Sequence, residues 1–329
     1  MYTETCLINR RDFSWTIAAT TWGALPAVAA EYPTRPIKLV VPYGPGTATD
    51  NLARQVGAEA QKLLGQPIVI DNRAGAGGIT GTEAVMRSAP DAYTLLVGTT
   101  QTHAINPALY AKLPYRPLED LVPVAGLAIQ PHVLVAAPQL QVNSVADLVA
   151  LAKAQPGRLT FASTGNGTPA HLVGEIFKRE AGIDATHVPY PGGAQALTDV
   201  MTGTVSMLFY PYQPVKAHIE AGKLRVLATA HATRPDWLPQ VRTMPEQGFP
   251  KSVIAAWFGI FAPTRTPDDR IQVLGDAFLK AMAAPAITST LPPTGTTIQA
   301  QSASELGRFT AAELERYKAL VAMSGAKVE

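Results

Sequence analysis

The stretch from Ile37 to Leu64 combines residue types that can hold an anion. A short apolar run, Ile37–Val41, is followed by a loop of proline, glycine and threonine over residues 42–50, and then by apolar residues at helical spacing that end at Gly65. This pattern predicts a strand, a glycine loop and a helix. Because the first turn of a helix has unpaired backbone N–H groups at its positive end, we expect this loop to bind a negatively charged group.

Similar glycine-, threonine- and asparagine-rich loops follow other predicted strands. In open parallel sheets, ligands bind at the carboxyl ends of the strands, where such loops lie. The first half of the chain supplies residues 43–49, 72–78 and 98–103, and the second half supplies residues 163–168, 190–193 and 210–213. We expect the two sets of loops to face each other across a cleft.

The six loops contain one cation, Arg73, which leaves neutral groups to hold a bound charge. We expect the donors to be backbone N–H groups near Thr47–Asp50 and Gly165–Thr168, together with the hydroxyls of Thr49 and Thr168. Hydrogen bonds to a charged acceptor are strong enough to serve this purpose. For Arg73, both contact with a ligand and a pair at the surface stay open.

The residues needed for catalysis are poorly placed. The run Gly75–Gly78 is a weak match to a dinucleotide-binding loop, and Ser163 lacks both a nucleophile elbow and a histidine–carboxylate pair to activate it. His103 and His171 are too isolated for a metal site, and the only cysteine is Cys6. We therefore expect a protein that is not an enzyme and that has no cofactor and no metal.

The elements that must position these loops alternate between strand and helix. Such βαβ order predicts an α/β fold with mainly parallel sheets covered on both faces. The predicted strands are 37–41, 68–70, 94–97, 133–136, 159–162, 186–188, 205–209 and 224–229.

The alternation fails twice, at Val122–Ala136 and Val253–Ala262, which are extended and lack a following helix. We interpret them as two strands that cross between domains and act as a hinge. The domains are then residues 31–128 plus 256–329 and residues 129–255, with the ligand cleft between them. After Pro263 the pattern is mostly helical, and we expect the carboxyl end to return to the first domain.

Composition and the first thirty residues indicate an exported protein with a small-molecule ligand. The chain has 329 residues, of which 47% are hydrophobic, and a formal charge of only +2, which argues against a nucleic-acid partner. Residues 1–30 have the features of a cleavable export signal, and Arg10-Arg11 resembles a twin-arginine signal, although an ordinary secretory signal stays open. Both routes predict a periplasmic location.

Five segments carry a family resemblance: Pro42–Asp50, Asp71–Gly78, Pro90–Leu96, Val188–Gly193 and Trp257–Gly259. They resemble the substrate receptors of tripartite tricarboxylate transporters, also called Bug proteins, and the resemblance extends over nearly all of residues 31–329. It implies a type II periplasmic-binding-protein fold with two α/β domains joined by two crossing strands. It also implies a monomer that binds a small carboxylate and delivers it to the membrane subunits of the transporter, or alternatively senses it.

In that family two main loops hold the carboxylate through backbone amides and water, and here they match residues 43–50 and 163–168. The expected ligand-binding residues are Tyr43, Gly46, Thr47, Ala48, Thr49, Asp50, Gly77, Thr100, Ser163, Gly165, Asn166, Gly167, Thr168, His171, Tyr190, Gly193 and Tyr210. Some of these residues have structural alternatives. Asp50 and His171 lie near helix starts and can have a structural role there, and Tyr43 and Tyr210 can merely form the floor of the cleft. Thr47, where the family has a second glycine, and Tyr210–Tyr212 depart from the family pattern, so the identity of the carboxylate stays open.

Overall fold

The computed structural model describes residues 1–3 and 32–325. The chain separates into two units, residues 1–31 and 32–329, and every element named below lies in the second. Arg10, Arg11 and Cys6, on which the predictions about export and thiols depend, lie outside the described residues, so the export signal stays a prediction. Within the described residues, no helix has the length and apolar character needed to cross a membrane.

The described residues form ten strands and eleven α-helices, besides five short 3-10 or π-helical turns. The strands are β1 (Ile37–Val41), β2 (Ile68–Asn72), β3 (Thr94–Thr99), β4 (Leu121–Ala136), β5 (Leu159–Ser163), β6 (Ala185–Pro189), β7 (Met207–Pro211), β8 (Arg225–Thr229), β9 (Ala255–Pro263) and β10 (Thr297–Gln301). The helices are α1 (Ala48–Leu64), α2 (Ile79–Met86), α3 (Asn106–Leu109), α4 (Pro117–Asp120), α5 (Val145–Ala154), α6 (Pro169–Ala181), α7 (Gly193–Thr202), α8 (Tyr212–Glu220), α9 (Asp268–Met282), α10 (Pro285–Thr288) and α11 (Ala303–Ser324).

The strands pair in the order β2-β1-β3-β9-β4-β7-β5-β6, and β8 and β10 also pair with β4. β1 runs parallel to β2 and β3, and β5 runs parallel to β6 and β7. The pairing is antiparallel where β9 and β4 enter the sheet. The predicted α/β class is confirmed. The expected parallel pairing is present among β1, β2 and β3 and among β5, β6 and β7, whereas every pair that includes β4 or β9 is antiparallel.

The long strand β4 connects two halves of the sheet. Its residues 121–131 pair with β9, and its residues 132–136 pair with β7 and, from Val133 on, also with β8. The chain returns beside it, because Ala230 N–H donates to His132 O at 2.8 Å and Ile254 N–H donates to Ala230 O at 3.0 Å. The two extended segments expected from the sequence are therefore strands that lie side by side where the halves meet. The domain limits themselves stay a prediction.

Each half has its own buried core, and α11 contacts both. Ile37, Val56 and Phe278 belong to the core of the first half, whereas Tyr317 near the end of α11 belongs to the core that contains Phe161. Nearer its start, α11 places Leu306 in a smaller cluster with Trp257 and Phe261. The last helix thus buries its apolar face against both halves of the sheet rather than one.

Several elements were not predicted, and β10 and a π-helical turn are two of them. β10 pairs antiparallel with β4, and a π-helical turn over Gln101–Ile105 leads into α3. The sequence Thr297–Gln301 alternates between polar and apolar residues over only five positions in a region of helical pattern, so its pairing with a distant strand makes it a strand.

Candidate functional site

A cavity of about 580 Å³ lies where the two sets of loops meet the crossing strands. Loops from both halves of the chain form its wall, and alternate residues of β4 and β9 form its floor. The predicted site residues in its lining are Tyr43, Thr47, Ala48, Thr49, Gly77, Thr100, Gly165, Asn166, Thr168 and Tyr210. Gly46, Asp50, Ser163, Gly167, His171, Tyr190 and Gly193 are outside the lining, and their roles are considered below.

The first wall is the start of α1. Thr47 caps the helix by accepting a hydrogen bond from Asp50 N–H at 3.3 Å, and its backbone is extended, with φ −69° and ψ 161°. Gly46 precedes it with φ +80°, a left-handed conformation that threonine or alanine would adopt only with strain. The amides of Ala48 and Thr49 have no hydrogen-bond acceptor within the described residues. Two unpaired donors therefore belong to residues that line the cavity.

Asp50 lies outside the cavity lining and stabilises the conformation of this loop. Its carboxylate accepts hydrogen bonds from Gly46 N–H at 2.9 Å, Arg54 Nε at 3.0 Å and Asn72 Nδ2 at 2.9 Å. Burial by itself would raise the pKa of Asp50, but the hydrogen bonds from Arg54, Gly46 and Asn72 outweigh it and hold the pKa below its usual range. Because these bonds occupy the carboxylate, the geometry favours the structural alternative for Asp50.

The second wall is the start of α6. Thr168 occupies the N-cap position, and its hydroxyl donates to Gly165 O at 2.7 Å, so the expected donation from this hydroxyl to a ligand would require that bond to break. Pro169 has no N–H, and the amides of Ala170 and His171 have no acceptor within the described residues. Of these, Ala170 lines the cavity. Within the predicted range Gly165–Thr168, the amide of Asn166 also has no acceptor among the described residues, and Asn166 lines the cavity, so the unpaired donors of this wall extend from the loop into the helix.

Two stacked histidines support the second loop. His171 Nδ1 accepts from Gly167 N–H at 3.0 Å, and its ring lies 4.1 Å from that of His187. His187 Nε2 lies 2.6 Å from Ser163 Oγ, which is fully buried and also donates to Gly165 O at 3.0 Å. The contact between Ser163 and His187 was not foreseen, and it lacks two features of a hydrolase: no carboxylate of the described residues bonds to His187, and the serine is outside the cavity lining.

The remaining predicted residues surround the cavity in different ways. Tyr190 donates to Asp199 at 2.6 Å and is outside the lining, whereas Tyr43, which is in it, shares a hydrogen bond of 3.0 Å with Thr99. Gly193 allows Tyr210 to approach, because a Cβ atom at this position would lie 1.6 Å from the tyrosine oxygen. As ligand contacts, all these residues stay predictions.

Arg73, the one cation of the six loops, lies outside the cavity lining. Its Nε pairs with Asp71 at 2.9 Å on the surface. This arrangement favours the alternative in which Arg73 makes a surface pair.

The floor of the cavity contains residues that the sequence analysis missed. They are Gln130 and His132 on β4, and Ala256 and Phe258 on β9. Their spacing of two residues places each pair on one face of its strand. The period-two pattern of the two predicted crossing strands was the signal that could have found them.

Among the residues that line this cavity there is no lysine, arginine, aspartate or glutamate. The wall instead offers backbone amides, threonine hydroxyls, the Asn166 carboxamide and aromatic rings. Such a site can hold a single small anion through fixed dipoles and can bury an apolar body beside it.

Comparison with known proteins identifies the family. Residues 52–325 match the family described as "Tripartite tricarboxylate transporter family receptor". The chain belongs to this family. It is 38% identical to Protein BugT of Bordetella pertussis over 312 residues, which cover 94% of this receptor and 96% of BugT.

Two similar proteins have solved structures with a bound carboxylate. The adipate complex of Rpa4515 from R. palustris is 34% identical, with a TM-score of 0.80, and the match covers 90% of this receptor and 99% of that chain. MatC from Rhodopseudomonas palustris with bound malate is 31% identical, with a TM-score of 0.76, and the match covers 88% and 100% of the two chains. The predicted periplasmic-binding-protein fold is thereby confirmed.

Proposed function

We propose that this receptor binds a small organic carboxylate in the cavity and delivers it to the membrane subunits of a tripartite tricarboxylate transporter. The proposal is supported mainly by unpaired backbone amides at Ala48, Thr49 and Ala170. These residues lie at the starts of two helices, and all three line the same cavity. Two helix N-termini supply donors and positive potential without any charged side chain.

A carboxylate satisfies these donors better than a neutral group. Each hydrogen bond from an amide to a charged acceptor is worth roughly 1.5 to 3 kcal/mol, and donors left unpaired in a closed cavity cost a similar amount. The relatives described with adipate and malate support the same class of ligand for this chain.

The location and partner in this proposal come from the family. A receptor of this kind acts in the periplasm, to which residues 1–30 would direct it, and we propose that it works there as a monomer. We propose a non-catalytic binding role, because Ser163 is fully buried and outside the cavity lining, and because no carboxylate of the described residues bonds to His187.

Calorimetric titration with a panel of aliphatic and aromatic carboxylates tests the binding role. The best acid should lose at least thirtyfold in affinity, or about 2 kcal/mol, when its carboxylate is converted to a primary amide, because an NH2 group would then face N–H donors. An amide that binds as well as its acid would contradict the proposal. Delivery is tested separately, by measuring uptake of the labelled acid in cells with and without this receptor.

A further inference from the structure

The floor of the cavity contains two buried polar side chains with unused hydrogen-bonding capacity. Gln130 and His132 are 6% and 5% exposed, and both line the cavity from β4. Neither ring nitrogen of His132 has a hydrogen-bond partner among the described residues; Nδ1 is fully buried, which leaves Nε2 as the nitrogen that a ligand can reach. Within the part of the chain that the structure describes, the Gln130 side chain makes one hydrogen bond, a long one from Nε2 to Thr296 Oγ1 at 3.5 Å. Because buried polar groups normally have partners, these two are available to a ligand.

The groups around this floor are uncharged at neutral pH. Burial lowers the pKa of His132 to about 4, and no charged group contributes to that shift. His132 lies between Pro211 of β7 and Ile254, and the other titratable groups in the cavity wall are Tyr43, Tyr110 and Tyr210. Burial raises the pKa of Tyr43 to about 12 and also raises that of Tyr210.

The charge of the ligand must therefore be compensated at the helix starts alone. A carboxylate there meets the amides of α1 and α6. A second carboxylate against Gln130 and His132 would lose its water without gaining a cation, which is costly for a charged group. A hydroxyl, carbonyl or protonated carboxyl group avoids this cost and can both donate to and accept from the two side chains.

We propose that the cavity binds its ligand with one net negative charge, with a carboxylate at the starts of α1 and α6 and an uncharged polar group against Gln130 and His132. This inference rests on the proposed carboxylate-binding function. A dicarboxylate then enters together with one proton from solvent, which resides either on its distal carboxyl group or on His132.

The test uses two matched series of ligands, the unbranched dicarboxylates from succinate to adipate and their ω-hydroxy monocarboxylate analogues. Calorimetric titration in two buffers with different ionisation enthalpies counts the protons bound. We expect the hydroxy acids to bind without proton uptake and with an affinity that is constant between pH 7 and 8. The dicarboxylates should take up about one proton and lose roughly tenfold in affinity over the same unit of pH.

A variant that adds a cation to the cavity floor tests the same inference without removing any contact at the helix starts. Gln130→Arg places a permanent cation on the floor and should abolish proton uptake by the dicarboxylates, whereas Gln130→Met, of similar length and no charge, should leave it. Melting curves show whether both variants fold. If either variant does not fold, the proton uptake measured with the wild type decides whether the inference holds.

The outcomes separate the two proposals. If dicarboxylates bind the wild type without proton uptake, or if the hydroxy acids fail to bind while the dicarboxylates do, the single-charge inference is wrong and the carboxylate receptor stands. If no member of either series binds and the wider panel of acids also fails, the proposed function is wrong and the inference falls with it.

Discussion

Replacing Ala48 with proline removes one unpaired amide from the cavity and leaves every side-chain contact of the loop in place. Ala48 is the first residue of α1, a position where proline is well tolerated because the N–H has no partner in the helix. Thr47 before it already has φ −69° and ψ 161°, the extended conformation that a following proline requires. We therefore expect the free energy of unfolding to change little.

Carboxylate binding should nevertheless weaken. If the Ala48 amide makes one hydrogen bond to the charged ligand, its loss costs roughly 1.5 to 3 kcal/mol, which corresponds to about a 10- to 150-fold rise in Kd. Calorimetric titration of Ala48→Pro with the best carboxylate from the panel measures this change. A thermal melt of the unliganded variant measures stability independently.

Two controls separate the loss of the donor from other effects of the substitution. Ala48→Val adds comparable bulk at the cavity wall but keeps the N–H, so its affinity should stay close to that of the wild type. Ala303→Pro introduces proline at the first position of α11, after the extended Ser302, and lies outside the cavity lining. Wild-type affinity in Ala48→Pro, or an equal loss in Ala48→Val, would refute recognition by this amide.

Two further predictions concern pH and domain closure. Burial lowers the pKa of His103 to about 3. Its contribution to the free energy of unfolding is therefore fully present above pH 6.5 and is lost as the pH falls from there towards 3, by about 2 kcal/mol at pH 5. Denaturant titrations should show this decrease in stability with falling pH, and His103→Leu should make the decrease smaller. If β4 and β9 act as a hinge, a carboxylate that contacts both walls should reduce the radius of gyration in solution scattering, and an unchanged radius in the saturated protein would contradict the hinge.

The sequence predicted those parts of the fold that local patterns determine. The eight expected strands are present, and α11, opened by a capping box of Ser302 and Glu305, lies in the region after Pro263 that was expected to be mostly helical. Apolar periodicity, N-cap residues and glycine turns depend on neighbours within a few positions, so they are visible in one chain. β10 was missed because its pairing with β4, rather than its own composition, makes it a strand.

Contacts within the site were harder to predict because they depend on register between distant strands. The parallel pairing of β5 with β6 places Phe161 beside His187 and Ser163 beside Pro189. A shift of one residue would turn the His187 ring to the opposite face of the sheet and away from Ser163. The sequence contains both residues but does not specify that register, so their contact could not be predicted.

The ligand's identity could not be predicted from the loops, because different groups of the cavity meet the carboxylate and the rest of the ligand. The donors at the starts of α1 and α6 belong to the backbone, and nearly any residue would supply them. The polar side chains of Asp50 and His171 accept hydrogen bonds from the backbone of those loops. They hold the loop conformation and so affect affinity only through the positions of the backbone donors. Discrimination between carboxylates must then come from side chains that meet the rest of the molecule, and Gln130 and His132 on the floor are placed to do so.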